Sequence, residues 1–237
     1  MAFRHLTIIL ISLSIQYAVA QSSLTFDKLF SVGIHLTKTE YSGELGNSIW
    51  NVKAGQLGSY WYYWGGGFSF SVNLNRSFFV SIDGNYGSYG YYAYPYPGKN
   101  FLTNKLDFTT TGHYKLNNGY IFNEDGFIAP FFSLGIGVAK YFYTKPKLDL
   151  KYVNMGSPHR VYDVNIPDFV FPFGGGIQFN ISKDLAVRYQ YLIYVTNQDN
   201  HDNNHTKSGN DIYGQHMGSI IYSFGDVVRK DNCHCNF

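Results

Sequence analysis

From Phe132 to Ala139 the chain runs Phe-Ser-Leu-Gly-Ile-Gly-Val-Ala. Successive side chains of a strand point to opposite faces. This stretch therefore predicts a strand with Phe132, Leu134, Ile136 and Val138 on one face and Ser133, Gly135, Gly137 and Ala139 on the other. One face is bulky and apolar, and the other is made of small residues.

The same period of two recurs along the chain. Phe30, Val32, Ile34 and Leu36 oppose Ser31, Gly33, His35 and Thr37. Trp64, Phe68, Phe70 and Val72 oppose Gly65, Gly67, Ser69 and Ser71. Phe78, Val80 and Ile82 oppose Ser81, Asp83 and Asn85, and Leu106, Phe108 and Tyr114 oppose Lys105, Asp107 and His113. Two later runs set Phe169, Phe171, Phe173 and Ile177 against Gly174, Gly176 and Gln178, then Leu185, Val187 and Tyr189 against Ala186, Arg188 and Gln190. A last, less regular run puts Ile220, Tyr222 and Phe224 opposite Gln215, Ser219 and Ser223. One such run is weak evidence, since half-buried strands of soluble sandwiches look alike. A series of them separates the alternatives. A soluble sandwich or a lipocalin-like carrier turns its bulky face inward and shows charge outside. Here the second face carries Ser, Thr, Gly and Asn with few charges, which suits a narrow lumen filled by side chains.

Connector lengths add a second pattern. Long links run from about Glu40 to Trp61, Ala93 to Asn104, Tyr143 to Asp168 and Gln198 to Ile212. Short ones fall at Asn75-Arg76 and Ser182-Lys183-Asp184, with Asn117 to Gly126 intermediate. Alternating long and short links fit an all-β, closed, antiparallel up-and-down transmembrane β-barrel of about eight strands, with short turns facing the periplasm and long loops facing outside. Closure removes the sheet edges and satisfies every backbone group in lipid.

Composition agrees. Only 14% of the 237 residues are charged and 19% are aromatic, including 22 Tyr and 20 Phe. Soluble domains carry about 25% charge. A net charge of +2 without a basic patch argues against nucleic acid as a partner. Residues 1–20 read as a secretory signal peptide: Arg4 and His5, an apolar run from Leu6 to Ile15, and an Ala18-Val19-Ala20 cleavage site. Residues 21–225 are then the barrel and 226–237 a periplasmic tail. The two cysteines, Cys233 and Cys235, cannot frame a disulfide fold.

The stretches Ala129 to Val138, Gly174 to Ile181, Leu185 to Tyr191 and Gly218 to Gly225 resemble strands of the OmpA-like outer-membrane β-barrel family, in the form common in the Bacteroidota. The resemblance covers nearly all of the expected mature chain, but its motifs are patterns rather than signatures. It implies an outer-membrane location and little chemistry. Longer members continue into a peptidoglycan-binding domain, for which twelve residues after the last strand leave no room, so wall anchoring is not implied.

Ionisable residues on the inward face are the first candidates for function: His35, Asp83, Lys105, Asp107, His113, Lys115 and Arg188. Charges in a narrow lumen need partners because desolvation is costly. They are expected to form a polar plug. The alternative is a small pore or ligand channel whose pairs break to pass ions. Trp61, Tyr62, Tyr63, Trp64, Tyr91 and Tyr92 are expected to form an interfacial aromatic girdle. The Asn197 to His205 run and Cys233-His234-Cys235 lack a complete ligand set, so no metal and no cofactor is expected.

Catalysis, as in lipid-modifying barrels, is disfavoured, because His216 and Ser219 are three apart and face opposite sides of a strand. No catalytic residue is assigned. The reading is a non-enzymatic outer-membrane barrel with a structural or surface-recognition role. Its partners are outer-membrane lipid and lipopolysaccharide, with envelope proteins or external ligands met through the long loops.

Overall fold

Each alternating run becomes one strand. The computed structural model describes residues 28–42, 64–75, 77–91, 101–123, 126–143, 167–197 and 212–226. The expected signal peptide, Cys233 and Cys235, and the Gln198 to His205 part of the polar run lie outside these residues. The strands are β1 (Lys28–Ser42), β2 (Trp64–Asn73), β3 (Phe78–Tyr91), β4 (Phe101–Lys115), β5 (Ile128–Tyr143), β6 (Asp168–Asn180), β7 (Leu185–Thr196) and β8 (Ile212–Asp226). They form a closed barrel in sequence order. β4 begins at Phe101, inside the stretch expected to be connector, because Phe101 to Thr103 extend the ladder opposite Tyr91 to Tyr89.

Every neighbouring pair is antiparallel, and β1 closes on β8 from Lys28↔Asp226 to Ser42↔Ile212. The connectors 74–77, 116–127 and 181–184 share one end of the barrel, the short-connector end, and a side-chain oxygen secures each of them; the middle one, at twelve residues, outruns the nine-residue link 92–100 at the other end, so the expected long–short alternation does not hold there, because β4 starts early. Asn75 Oδ1 accepts the backbone N–H groups of Ser77 and Phe78, both at 2.8 Å. Asn118 Oδ1 accepts those of Tyr120 (3.0 Å) and Ile121 (3.2 Å). Ser182 Oγ accepts those of Asp184 (3.3 Å) and Leu185 (3.0 Å). Asn and Ser favour turns for this reason: the side chain satisfies amides that the reversing backbone cannot. Gly119 adds the left-handed conformation, φ 83°, that a side chain resists.

The two faces of the wall differ sharply in exposure. On β1, Ile34 and Leu36 are 69% and 67% exposed, while His35 and Thr37 between them are 4% and 1% exposed. β5 repeats this, with Phe132, Leu134 and Ile136 exposed and Ser133 buried. The interior is not uniformly small and polar, however. Toward the long connectors it holds a cluster of Ala139, Tyr141, Val170, Leu192, Tyr194 and Tyr213. Phe79 and Phe131 are buried inside as well.

β2 is the thin part of the wall. A Cβ on Gly67 would run into the Gly84 carbonyl oxygen and come within 2.5 Å of His35 Nε2. Gly67→Val should therefore lower the refolding yield in detergent sharply. Gly218→Ala, where an added Cβ meets nothing within 4 Å, should refold like the parent. Equal yields from the two variants would contradict this account of the wall.

Candidate functional site

The barrel gathers most of its buried ionisable side chains in two layers. The layer nearer the long connectors is organised by Lys105 and Asp107. Two apart on β4, they point the same way, and both are fully buried. Lys105 Nζ donates to Asp107 Oδ2 at 2.8 Å and to Gln215 Oε1 on β8 at 2.7 Å. The ammonium also lies over the rings of Tyr213 (4.4 Å) and Tyr194 (5.0 Å). These rings stack on one another with centroids 4.6 Å apart. Ring faces are electron-rich, so they add to the attraction on a desolvated cation.

The network continues across the bore. Asn85 Nδ2 donates to Asp107 Oδ1 at 2.8 Å, and Asn85 Oδ1 sits 2.6 Å from His35 Nε2. An oxygen there can only accept, so Nε2 carries the hydrogen. His35 is on β1 and Asn85 on β3, with β2 between them. They meet because β2 presents Gly67 at that level, without a side chain in the way.

The second layer is built around His113. Its Nε2 is 2.8 Å from Ser81 Oγ and its Nδ1 is 2.8 Å from Ser133 Oγ. Ser81 spends its only hydrogen on Asp83 Oδ2, at 2.6 Å. His113 Nε2 must then donate to Ser81, and in the neutral ring Ser133 donates to Nδ1. The imidazole stacks on Phe79, with centroids 4.1 Å apart and planes 8° apart, and meets the edge of Phe131. The guanidinium of Arg188 lies over the same two rings, 4.7 Å from Phe79 and 5.5 Å from Phe131. Lys115 Nζ donates to Asn73 Oδ1 at 2.8 Å and lies 5.4 Å from the Phe79 ring.

The structure thus brings His35, Lys105 and Asp107 into one layer and Asp83, His113, Lys115 and Arg188 into the other. Sequence reading did not name Asn85, Gln178, Gln215, Phe79, Phe131, Tyr194 or Tyr213 as members of this constellation. The signal for the two Phe residues is the doublets Phe78-Phe79 and Phe131-Phe132, since strand alternation puts one ring of each doublet on either face. Of the expected aromatic girdle, Trp64 is on the outer face and 52% exposed. Trp61, Tyr62, Tyr63 and Tyr92 lie outside the described residues, and Tyr91 is placed only by its pairing with Phe101.

A second polar group stands on the outer wall. Tyr189 Oη is 2.7 Å from His216 Nδ1, His216 Nε2 is 3.5 Å from Glu40 Oε1, and Lys38 Nζ donates to Glu40 Oε1 at 3.1 Å. This is a carboxylate–imidazole–hydroxyl row, but its hydroxyl is a phenol. The strand amides around it are committed to the ladder and form no oxyanion hole. Ser219 points into the bore, 4% exposed, and does not meet His216. Among the described residues no cluster of His, Cys, Asp or Glu is placed to hold a metal ion.

An eight-stranded, antiparallel, closed barrel with an apolar exterior and a polar interior is the class that this geometry defines. No protein-family model matches the chain, and no curated protein matches it. Solved barrels are similar in shape. Neisserial surface protein A is 12% identical, with a TM-score of 0.49, over 82% of this chain and 97% of that one. Ail, the attachment invasion locus protein of Yersinia pestis, solved with the heparin analogue sucrose octasulfate, is 13% identical with a TM-score of 0.44, over 84% and 99%. The outer membrane protein OprG from Pseudomonas aeruginosa is 10% identical with a TM-score of 0.43, over 85% and 98%.

Breaking the central pair should be costly. Lys105→Ala leaves Asp107 charged and buried, a defect of about 3–5 kcal/mol. Lys105→Met combined with Asp107→Leu removes both charges and should cost less than the single change. Urea unfolding of both variants in lipid vesicles provides the comparison. A single variant within about 1 kcal/mol of the parent would mean the pair does not hold the layer.

Proposed function

We propose that this protein is a non-enzymatic integral outer-membrane β-barrel with a structural or surface-recognition role, its bore closed by its own side chains. The observation that carries the reading is the inversion of faces: bulky apolar residues are exposed around the wall while Lys, Asp, His and Arg are buried within it. A contiguous apolar exterior of this kind needs a partner, and hydrocarbon is one that meets every strand equally. Strands can cross lipid only in a closed barrel, which pairs all backbone groups internally. The apolar belt then contacts outer-membrane lipid and lipopolysaccharide. The links between β1 and β2, β3 and β4, β5 and β6, and β7 and β8 all leave from the opposite end to the short turns. These links, three of them fifteen residues or longer, are the segments placed to meet external ligands or other envelope proteins.

The bore is read as closed because an eight-stranded barrel is only wide enough to be filled, and the Lys105–Gln215 bond reaches from β4 to β8, on opposite sides of the ring, at 2.7 Å. The non-enzymatic reading rests on the isolation of the candidate nucleophiles. Ser81 and Ser133 meet His113 deep inside the wall, and Asp83 bonds Ser81 rather than orienting the imidazole.

Two measurements test the proposal. Ile34→Arg, in the middle of the belt, should destabilise the protein in bilayers by roughly 2–4 kcal/mol. An ordinary water-exposed site would change by about 0.5 kcal/mol or less, and such a result would remove the membrane reading. The refolded chain should also show no conductance steps in planar bilayers. Steady steps would favour the small pore.

A further inference from the structure

The link between β4 and β5, residues 116–127, differs in character from its two neighbours at the short-connector end. The exposed turn tips of those neighbours are polar: Asn75 in one, Ser182 and Lys183 in the other. Polar tips are what a turn in water carries. The β4–β5 link instead exposes Tyr120, Ile121 and Phe122 in succession, at 90%, 52% and 52%. Its described residues carry no charge.

Hydrogen bonds tie this tip to the outside of the wall. Asn118 is buried, and while its Oδ1 accepts the amides of Tyr120 and Ile121, its Nδ2 donates to Tyr114 Oη at 3.0 Å. Tyr114 stands between the inward His113 and Lys115 and so faces out, where its ring packs against the exposed Phe78 with centroids 5.0 Å apart. At the far end of the link the exposed Phe127 meets the ring of Phe179 on β6, centroids 5.8 Å apart, next to the exposed Ile128. Both ends of the link are thus joined to the rim of the apolar belt. The tip also satisfies its own backbone. Gly119 N–H donates to the Phe122 carbonyl and Phe122 N–H to the Leu116 carbonyl, both at 3.0 Å. With the two amides on Asn118, all four from Gly119 to Phe122 are bonded within the link.

We propose that the Tyr120-Ile121-Phe122 tip is a membrane foot, which enters the headgroup–acyl boundary of the leaflet on the short-connector side and fixes how deep the barrel sits. The inference rests on the membrane reading above, because the foot extends the same apolar surface by one turn. Lipid is the occupant for three reasons. The patch continues a belt that meets hydrocarbon. Its bonded amides let the segment enter a poorly hydrated layer without the cost of bare donors. A phenol beside an Ile and a Phe matches the boundary itself, where a Tyr ring lies in the apolar layer and its hydroxyl stays wet.

Fluorescence quenching in vesicles tests the foot. A small polarity-sensitive fluorophore is attached to Ile121→Cys, Lys183→Cys or Ile34→Cys, each in the full chain with Cys233→Ser and Cys235→Ser. Each chain is refolded into phosphatidylcholine vesicles that hold no other protein, with iodide on both sides of the bilayer as the aqueous quencher. The label at 121 should lose emission to a lipid nitroxide near the headgroup end of the acyl chain, more than to one near the chain terminus, and should be shielded from iodide. The label at 183 should be quenched by iodide, and the label at 34 most by the deep nitroxide. If Ile121→Cys does not refold, Tyr120→Cys takes its place. A label at 121 that behaves like the one at 183, while the label at 34 is quenched from the lipid, would overturn the foot, leave the barrel in the membrane and free the tip for a soluble partner. A label at 34 that iodide reaches and no lipid nitroxide quenches would overturn the membrane reading, and the foot with it.

Discussion

Closure is the constraint on which everything else depends. Once β1 pairs with β8, every strand has a hydrogen-bonded neighbour on both sides along most of its length, and the circumference is fixed. A ring of eight strands encloses a space about as wide as two facing side chains. Each inward residue must therefore fit against a residue from a strand elsewhere in the ring. Gly67 has no side chain because His35 and Asn85 already occupy the space in front of it. Gly135 and Gly137 stand opposite Thr111 and Thr109 for the same reason.

Within that fixed bore the two layers solve the problem of buried charge differently. Near the long connectors, the Lys105 ammonium has an adjacent carboxylate, an amide oxygen and two stacked tyrosine rings. Near the short connectors, the Arg188 guanidinium bonds an amide oxygen and lies over two phenyl rings, with Asp83 as the carboxylate of that layer. Aromatic rings accept a cation without adding a countercharge. The first arrangement pairs its cation directly with a carboxylate, and the second holds its guanidinium through neutral groups.

The side of the wall that most strand residues take was legible in the sequence, because a period of two needs only the local chain. The identity of partners was not. Gln178 meets Arg188 because the β6–β7 register places them opposite one another, and His35 meets Asn85 because of the registers on both sides of β2. These facts depend on hydrogen-bond ladders between distant segments, which no single run of residues encodes. The inward aromatics were hidden for another reason. Phe79, Phe131, Tyr194 and Tyr213 break the simple equation of apolar with outward, since a filled bore needs bulk as well as polarity. The phenol–imidazole–carboxylate row on the outer wall escaped notice because Tyr189, His216 and Glu40 come from three strands that are adjacent only after the ring closes.

The β1–β8 seam is the place where a ring of strands is expected to part, since it alone joins the two ends of the sheet. Here it is fastened at three heights. Ser31 and Ser223 meet on the inside, Glu40 faces His216 on the outside, and Lys28 of β1 pairs with Asp184 just before β7, so that this link bridges past β8. Pulling the wall apart along its circumference must break these ties together with the ladder. The seam is thereby tied to the strands around it by side chains as well as by its ladder, and it is no ready-made side door between bore and bilayer.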